Sequence, residues 1–220
     1  MIRSAAIPDI MSRAMAGSRM PASFRPIPMT QDVKDAARQP LSADQAALVV
    51  VDIQEKLLPP IHQKEQLVRN SQLLLRLAGI LKIPVVATTQ YAKGLGKTVP
   101  EIASLLPADE AIDKLQFGCF ASPEFCSALK ALPGRRNTVL LCGMETHICV
   151  MQTALGALEQ GYLVHVASDA VGSRSEWNWK IGLERMRAAG ALISSTEMII
   201  YELLGGSGTA EFKQMLQYLK

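Results

Sequence analysis

The sequence predicts an α/β protein: a doubly wound, six-stranded, mostly parallel sheet with helices on both faces. Three observations carry this expectation. Short continuous apolar runs, of which Ala47-Leu48-Val49-Val50-Val51 is the clearest, have the pattern of strands covered on both sides. Longer stretches with apolar residues at helical spacing alternate with them, beginning with Leu67, Leu74, Leu75, Leu77 and Leu81. The chain has 220 residues, 49% of them apolar, which is enough to bury one good-sized core.

Residues 1–40 show no sustained period and are assigned to an irregular N-terminal extension, with residues 41–220 as the domain. Four Arg against one acid in the first thirty residues have the flavour of a mitochondrial presequence. Pro8, Pro21, Pro26 and Pro28 interrupt the amphipathic helix a presequence needs. A cytoplasmic protein with an added N-terminal stretch is therefore expected, a mitochondrial one being the alternative.

From Ala46 the pattern sharpens. The first strand ends in Asp52, a helix spans Lys64 to Leu81, and Pro84 introduces a second strand over Val85 to Thr89. The connection between these strands should be right-handed. Gln90 to Pro100 is a Gly-rich loop. Its Gly94-Leu95-Gly96-Lys97-Thr98 resembles the end of a phosphate-binding loop, but Tyr91 stands where that motif requires its first glycine. A short helix over 101–106 and a third strand over 111–115, delivering Lys114, come next. Pro123 to Leu132 reads as a helix capped by Ser122. The fourth strand starts at Thr138 and stops at Gly143, and after a polar turn Cys149 opens a helix that runs to Gln160, with Gly161 as its left-handed terminator. A fifth strand over 163–167, a helix over 177–189, a sixth strand over 191–194 and helices over 196–204 and 210–219 complete the chain.

The net charge of +3 resides entirely in residues 1–40, which hold six Lys/Arg and three Asp; the remainder carries 17 charges of each sign. A neutral body argues against nucleic acid as a partner. No apolar run approaches the ~20 residues needed to span a bilayer. Cys119, Cys126, Cys142 and Cys149 lack the dense spacing of a disulfide scaffold and form no CxxC pair, so free thiols are expected.

Three polar groups stand at the predicted carboxyl ends of strands or just beyond: Asp52, Lys114 and Cys149. In a parallel sheet those ends share one edge, where such folds place their chemistry. A lysine ammonium and a helix N-terminus would both favour thiolate over thiol, and a carboxylate can accept the thiol proton and pass it to a leaving group. Acid, cation and thiol together make a nucleophile for acyl carbon.

Val51-Asp52-Ile53-Gln54 after an apolar strand, Asp113-Lys114, and Gly143-Met144-Glu145-Thr146-His147-Ile148-Cys149 resemble the isochorismatase-like cysteine hydrolases. The resemblance covers about residues 42–205. Within it, Gln90-Tyr91, Gly94-Leu95-Gly96, Thr98-Val99-Pro100-Glu101 and Ser173-Arg174-Ser175 are most similar to the isochorismatase domain-containing branch. The resemblance implies a catalytic triad of Asp52, Lys114 and Cys149, a cis peptide between Met144 and Glu145, and an oxyanion hole from the backbone N–H groups of Glu145 and Cys149. Gln54, Tyr91, Phe117, Thr146 and His147 are expected to line the substrate pocket, and Arg174 to meet a substrate carboxylate.

Nicotinamidases of this family carry a metal site between the first and second strands. Here only His62 falls in that interval, with Gln54 and Tyr91 near the implied positions, so neither metal nor other cofactor is expected. Isochorismate vinyl-ether hydrolases lack the nucleophilic cysteine, so Cys149 favours acyl chemistry. The expected activity is metal-independent hydrolysis of a C–N bond in a small amide, by a homo-oligomer of two or more chains. The alternatives are a catalytically silent oligomeric binding module and a redox sensor pairing Cys149 with Cys142 or Cys126.

Overall fold

The computed structural model describes residues 38–106 and 111–219. The N-terminal extension, apart from its last three residues, lies outside the described residues, as do the readings made on it.

Six parallel strands form one sheet in the order β3-β2-β1-β4-β5-β6. They are β1 (Ala46–Val51), β2 (Val85–Gln90), β3 (Ile112–Lys114), β4 (Thr138–Met144), β5 (Leu163–Gly172) and β6 (Leu192–Ser194). β1 and β4 are buried along their whole length, which is why both read as unbroken apolar runs. Strand order reverses between β1 and β4, so the edge just beyond Val51 and Gly143, which pair in register, is the natural crevice of the fold.

Alternate residues of β1 build two cores. Leu48 and Val50 pack with α1 (Lys64–Leu81) and the late helices, whereas Ala47, Val49 and Val51 face Phe125, Cys149, Val150 and Leu183. The helix α1 holds Leu67, Leu74, Leu75, Leu77 and Ala78 buried, the stripe its sequence spacing predicts. Short helices α2 (Ala92–Leu95) and α3 (Pro100–Ala103) fold the Gly-rich loop back over the end of β1. There Glu55 and Lys56 donate their N–H groups to the carbonyls of Lys97 and Leu95. Ser122 caps α4 (Pro123–Lys130) by accepting from the Phe125 N–H at 3.2 Å. Helices α5 (Met151–Glu159), α6 (Glu176–Ala188), α7 (Thr196–Leu204) and α8 (Ala210–Leu216) complete the two layers.

Two elements depart from their sequence patterns. β5 continues to Gly172 through an irregularity in its pairing with β4, where the predicted closure Ser168-Asp169-Ala170 is absorbed as a bulge. The bulge is held from both sides: Asp169 accepts from the Thr196 N–H and hydroxyl at 2.7 and 2.8 Å, and its carbonyl accepts from Asn70 at 2.9 Å. The helix expected to open at Cys149 begins at Thr146, because one π-helical turn (Thr146–Val150) winds the polar turn into α5. Among the described residues no helix is long and apolar enough to cross a membrane.

Candidate active site

The site is assembled from three strand ends. Asp52 leaves β1 in the left-handed region (φ 50°), a conformation Asp tolerates better than most side chains. Its carboxylate is fully buried. Lys114, the last residue of β3, places Nζ 2.6 Å from Asp52 Oδ2, both side chains out of contact with solvent. Thr88 on β2 donates its hydroxyl to the other carboxylate oxygen at 2.7 Å. Gln90 accepts from Lys114 Nζ at 3.2 Å and donates to the Leu115 carbonyl at 2.8 Å. The acid and the cation are thus each held from two directions.

β4 delivers the thiol. Gly143 has φ 119°, and a Cβ there would stand 2.0 Å from the Val51 carbonyl oxygen, so only glycine lets β4 close against β1 at the crevice. The Met144–Glu145 peptide that follows is cis. The π-helical turn then carries Cys149 into the core beneath α6. The Glu145 carbonyl accepts from the N–H groups of Ile148 and Val150, at 3.0 and 3.2 Å, one on either side of Cys149. Gly182 of α6 lies so close that a Cβ would meet His147 Cα at 3.0 Å and Thr146 C at 3.1 Å.

The Asp52 carboxylate and the Lys114 ammonium both act electrostatically on the buried Cys149 thiol. Burial first, then the Asp52 charge, push its pKa up against the opposing pull of Lys114. This reverses the expectation of a thiolate favoured by lysine and helix N-terminus. The ammonium is committed to Asp52 at 2.6 Å, and burial of the thiol opposes its ionisation.

The pocket residues expected from sequence divide into groups. Gln54 has both amide ends engaged: Nε2 donates to the Gln90 and Gly96 carbonyls at 3.1 and 2.7 Å, and Oε1 accepts from the Gln90 N–H at 2.7 Å. It is a strut tying the Gly-rich loop to β2, and its amide is spent on backbone rather than on substrate. Tyr91 and Phe117 stand exposed on the β2 and β3 side of the edge. Thr146 is fully buried with its hydroxyl unpartnered. His147 Nδ1 is 2.9 Å from the Ser173 hydroxyl, and desolvation lowers the imidazole's pKa. Arg174 binds within the protein: its N–H and Nε donate to Glu145 Oε2 at 3.0 and 3.1 Å, so the loop after β5 grips the nucleophile turn through both His147 and Glu145.

Thr88, Gln90 and Cys119 complete the neighbourhood and have no strong sequence signal. Gln90 lies one residue past the predicted end of β2, where strand-end logic would have found it. Cys119 Sγ is 3.7 Å from the Thr88 hydroxyl. A cavity of about 440 Å³, with His62, Asp169, Ser173 and Trp179 in its walls, opens on the far side of the His147–Ser173 contact, and no triad residue lines it. Among the described residues no cluster of three or more His, Cys, Asp or Glu converges in a way that could hold a metal.

Comparison with known proteins agrees with this architecture. The family model of the isochorismatase domain matches residues 46–198. The secreted isochorismatase effector Isc1 of Phytophthora sojae (strain P6497) is 40% identical over 178 residues, 80% of this chain and 84% of that protein. Isochorismatase domain-containing protein 2 of Pongo abelii is 38% identical over 79% of this chain and 82% of its own. Among solved structures, the MAR1 ribonuclease from Caenorhabditis elegans has a TM-score of 0.76 at 36% identity, covering 82% of this chain and 92% of that one. YcaC from Pseudomonas aeruginosa, with hexane-2,5-diol and covalent acrylamide, has a TM-score of 0.76 at 26% identity over the same shares. The E. coli YcaC gene product, an octameric hydrolase of unknown specificity, also has a TM-score of 0.76 at 26% identity, covering 81% of this chain and 90% of that one. With the family model covering most of the domain, and relatives near 40% identical along four-fifths of the chain, this protein belongs to the isochorismatase family.

Proposed function

We propose that this protein is a metal-independent cysteine hydrolase that cleaves a C–N bond of a small amide through a thioester on Cys149. One observation carries the reading. A buried carboxylate, held by Lys114 at 2.6 Å and Thr88 at 2.7 Å, acts electrostatically on the buried thiol of the nucleophile turn. Its fixed place beside the thiol gives Asp52 the position of a general base.

Asp52 takes the Cys149 proton as sulfur attacks the amide carbonyl. The backbone N–H groups of Glu145 and Cys149, at the opening of the helix, receive the developing oxyanion. The tetrahedral intermediate collapses with its C–N bond broken, and protonated Asp52 gives its proton to the departing amine. Asp52 then deprotonates a water that attacks the thioester, and Cys149 leaves as thiolate and recovers the proton. Lys114 keeps the carboxylate oriented throughout. Thr146 and His147 form the substrate wall on the β4 side, and Tyr91 and Phe117 the rim on the β2 and β3 side.

The relatives add support. P. aeruginosa YcaC is described with covalent acrylamide, an electrophile that marks a reactive nucleophile, and the octameric E. coli YcaC supports assembly into a homo-oligomer. The C. elegans relative is described as a ribonuclease. The even charge balance of residues 41–220 favours a small molecule over RNA here.

Ammonia release from a panel of small amides, with an RNA oligonucleotide alongside, tests the reading. Wild type should turn over at least one amide and Cys149→Ala none, with an unchanged melting temperature. Cleavage of RNA alone would replace the amide assignment, and a Cys149→Ala variant that kept most of its activity would sink the nucleophile. Failure of every substrate would favour the silent binding module.

A further inference from the structure

Cys119 takes no part in the mechanism above, yet it lies beside the same buried charges. Its thiol is buried, approaches the Thr88 hydroxyl at 3.7 Å, and through Thr88 reaches the Asp52 carboxylate. Asp52 and Lys114 act electrostatically on both Cys119 and Cys149, and the two thiols act on each other. The backbones are close as well. A single hydroxyl, that of Thr153, accepts from the Cys119 N–H at 3.0 Å and donates to the Cys149 carbonyl at 2.7 Å. One oxygen atom therefore bridges the backbones of the two cysteines.

The other two cysteines are placed differently. Cys142 belongs to the opposite core, on the α1 side of the sheet, with Sγ directed at the Val49 carbonyl. Cys126 is only half-buried and donates its thiol to the Phe120 carbonyl at 3.3 Å. The redox pairings open to the sequence, Cys149 with Cys142 or Cys126, thus give way to a partner that sequence spacing did not suggest.

We propose that Cys119 and Cys149 form a reversible intrachain disulfide when the protein meets hydrogen peroxide, an oxidative modification that masks the nucleophile. Cys149, deprotonated by Asp52, attacks one peroxide oxygen. The O–O bond breaks, sulfur becomes a sulfenic acid, and hydroxide leaves, taking up the proton held on Asp52 to give water. Cys119 then attacks the sulfenic sulfur, its proton departing with the hydroxyl as a second water, and the S–S bond forms. In total the two thiols lose two hydrogens and two electrons, and one peroxide becomes two waters. A thiol-based reductant reverses the change by exchange. A nearby resolving thiol also keeps Cys149 from advancing to the irreversible sulfinic acid.

The test reads mass and needs no substrate, so its outcome is independent of the hydrolase assignment. The full-length reduced protein is treated with stoichiometric hydrogen peroxide, free thiols are blocked with iodoacetamide, and the intact mass is measured before and after dithiothreitol. Trypsin leaves Cys119 on one peptide with Cys126, and Cys142 on one with Cys149, so the pair is assigned in a Cys126→Ala/Cys142→Ala double variant. Fragmentation of the wild-type cross-linked peptide makes the assignment if that variant does not fold. Wild type and double variant should lose two hydrogens per chain and regain them with dithiothreitol. Cys119→Ser should instead gain one oxygen at Cys149 as the sulfenic acid, with no two-hydrogen loss, and dithiothreitol should remove that oxygen. The proposal is overturned by a two-hydrogen loss that persists in Cys119→Ser, by a cross-link between chains, by oxygen uptake at wild-type Cys149 without hydrogen loss, or by an unchanged mass.

Discussion

On the β1 to β3 side of the sheet's carboxyl edge, the polar groups of the candidate site are tied down. Asp52 is held by Lys114 and Thr88, Lys114 also by Gln90, and Gln54 by three backbone groups. On the β4 and β5 side, the Thr146 hydroxyl is buried without a partner, and Glu145 and His147 are steadied from outside by Arg174 and Ser173. The first side holds charge in place by its own polar contacts, and the second is steadied from the loop after β5. On the proposed mechanism the first side would fix the base and the second would present the nucleophile and the oxyanion donors.

The comparison can be broken most decisively at the ion pair. Lys114→Met leaves Asp52 buried and uncompensated and should cost about 3–5 kcal/mol in urea unfolding. Asp52→Asn/Lys114→Met should recover most of that loss while remaining inactive. A single variant as stable as wild type would mean that the first side is not held by its charges. On the second side, Gly182→Ala pushes a methyl against the backbone of Thr146 and His147. We expect a stability loss of about 1–3 kcal/mol and a turnover loss on the order of 100-fold from displacement of the nucleophile turn. Equal losses in Gly182→Ala and in an overpacked residue of α1 would show that the turn tolerates displacement.

The smallest effect is a pH dependence. His147 and His165 both have lowered pKa values, chiefly because their rings are desolvated. Below the ordinary histidine value of 6.5 the unfolded chain binds more protons than the native one, so stability present at neutral pH is lost as pH falls. Urea midpoints should decline from pH 7.5 to 5.5, and His165→Gln should flatten that decline. An identical slope in the variant would place the proton uptake elsewhere.

Much of the fold was legible because its elements are locally consistent. The helices Lys64–Leu81 and Thr196–Leu204 coincide with their sequence patterns, since apolar spacing and caps act over a few residues. β5 runs beyond its sequence pattern because Ser168-Asp169-Ala170 has the composition of a turn, and Asn70 and Thr196, far away in sequence, satisfy the polar groups that make it a bulge. The strand-end positions of Asp52, Lys114 and Cys149 were also legible, because strands of a parallel sheet share one carboxyl edge. The partners of those groups were not. Whether Gln54 faces substrate or a loop carbonyl, and whether Arg174 meets a ligand or Glu145, depends on the packing of separate segments.

The sequence by itself therefore determined the alternation of strand and helix, the parallel sheet and the chemical types brought to its edge, because these follow from residue periodicity and chain geometry. Tertiary structure alone decided the protonation logic and the neighbours. Lys114 spends its charge on Asp52, burial raises the Cys149 pKa, and Cys119 arrives beside them through the Thr153 hydroxyl. The reason is physical: pKa values and hydrogen-bond partners are set by burial and by distances of a few ångströms, and residues far apart in the chain acquire those only when the sheet closes.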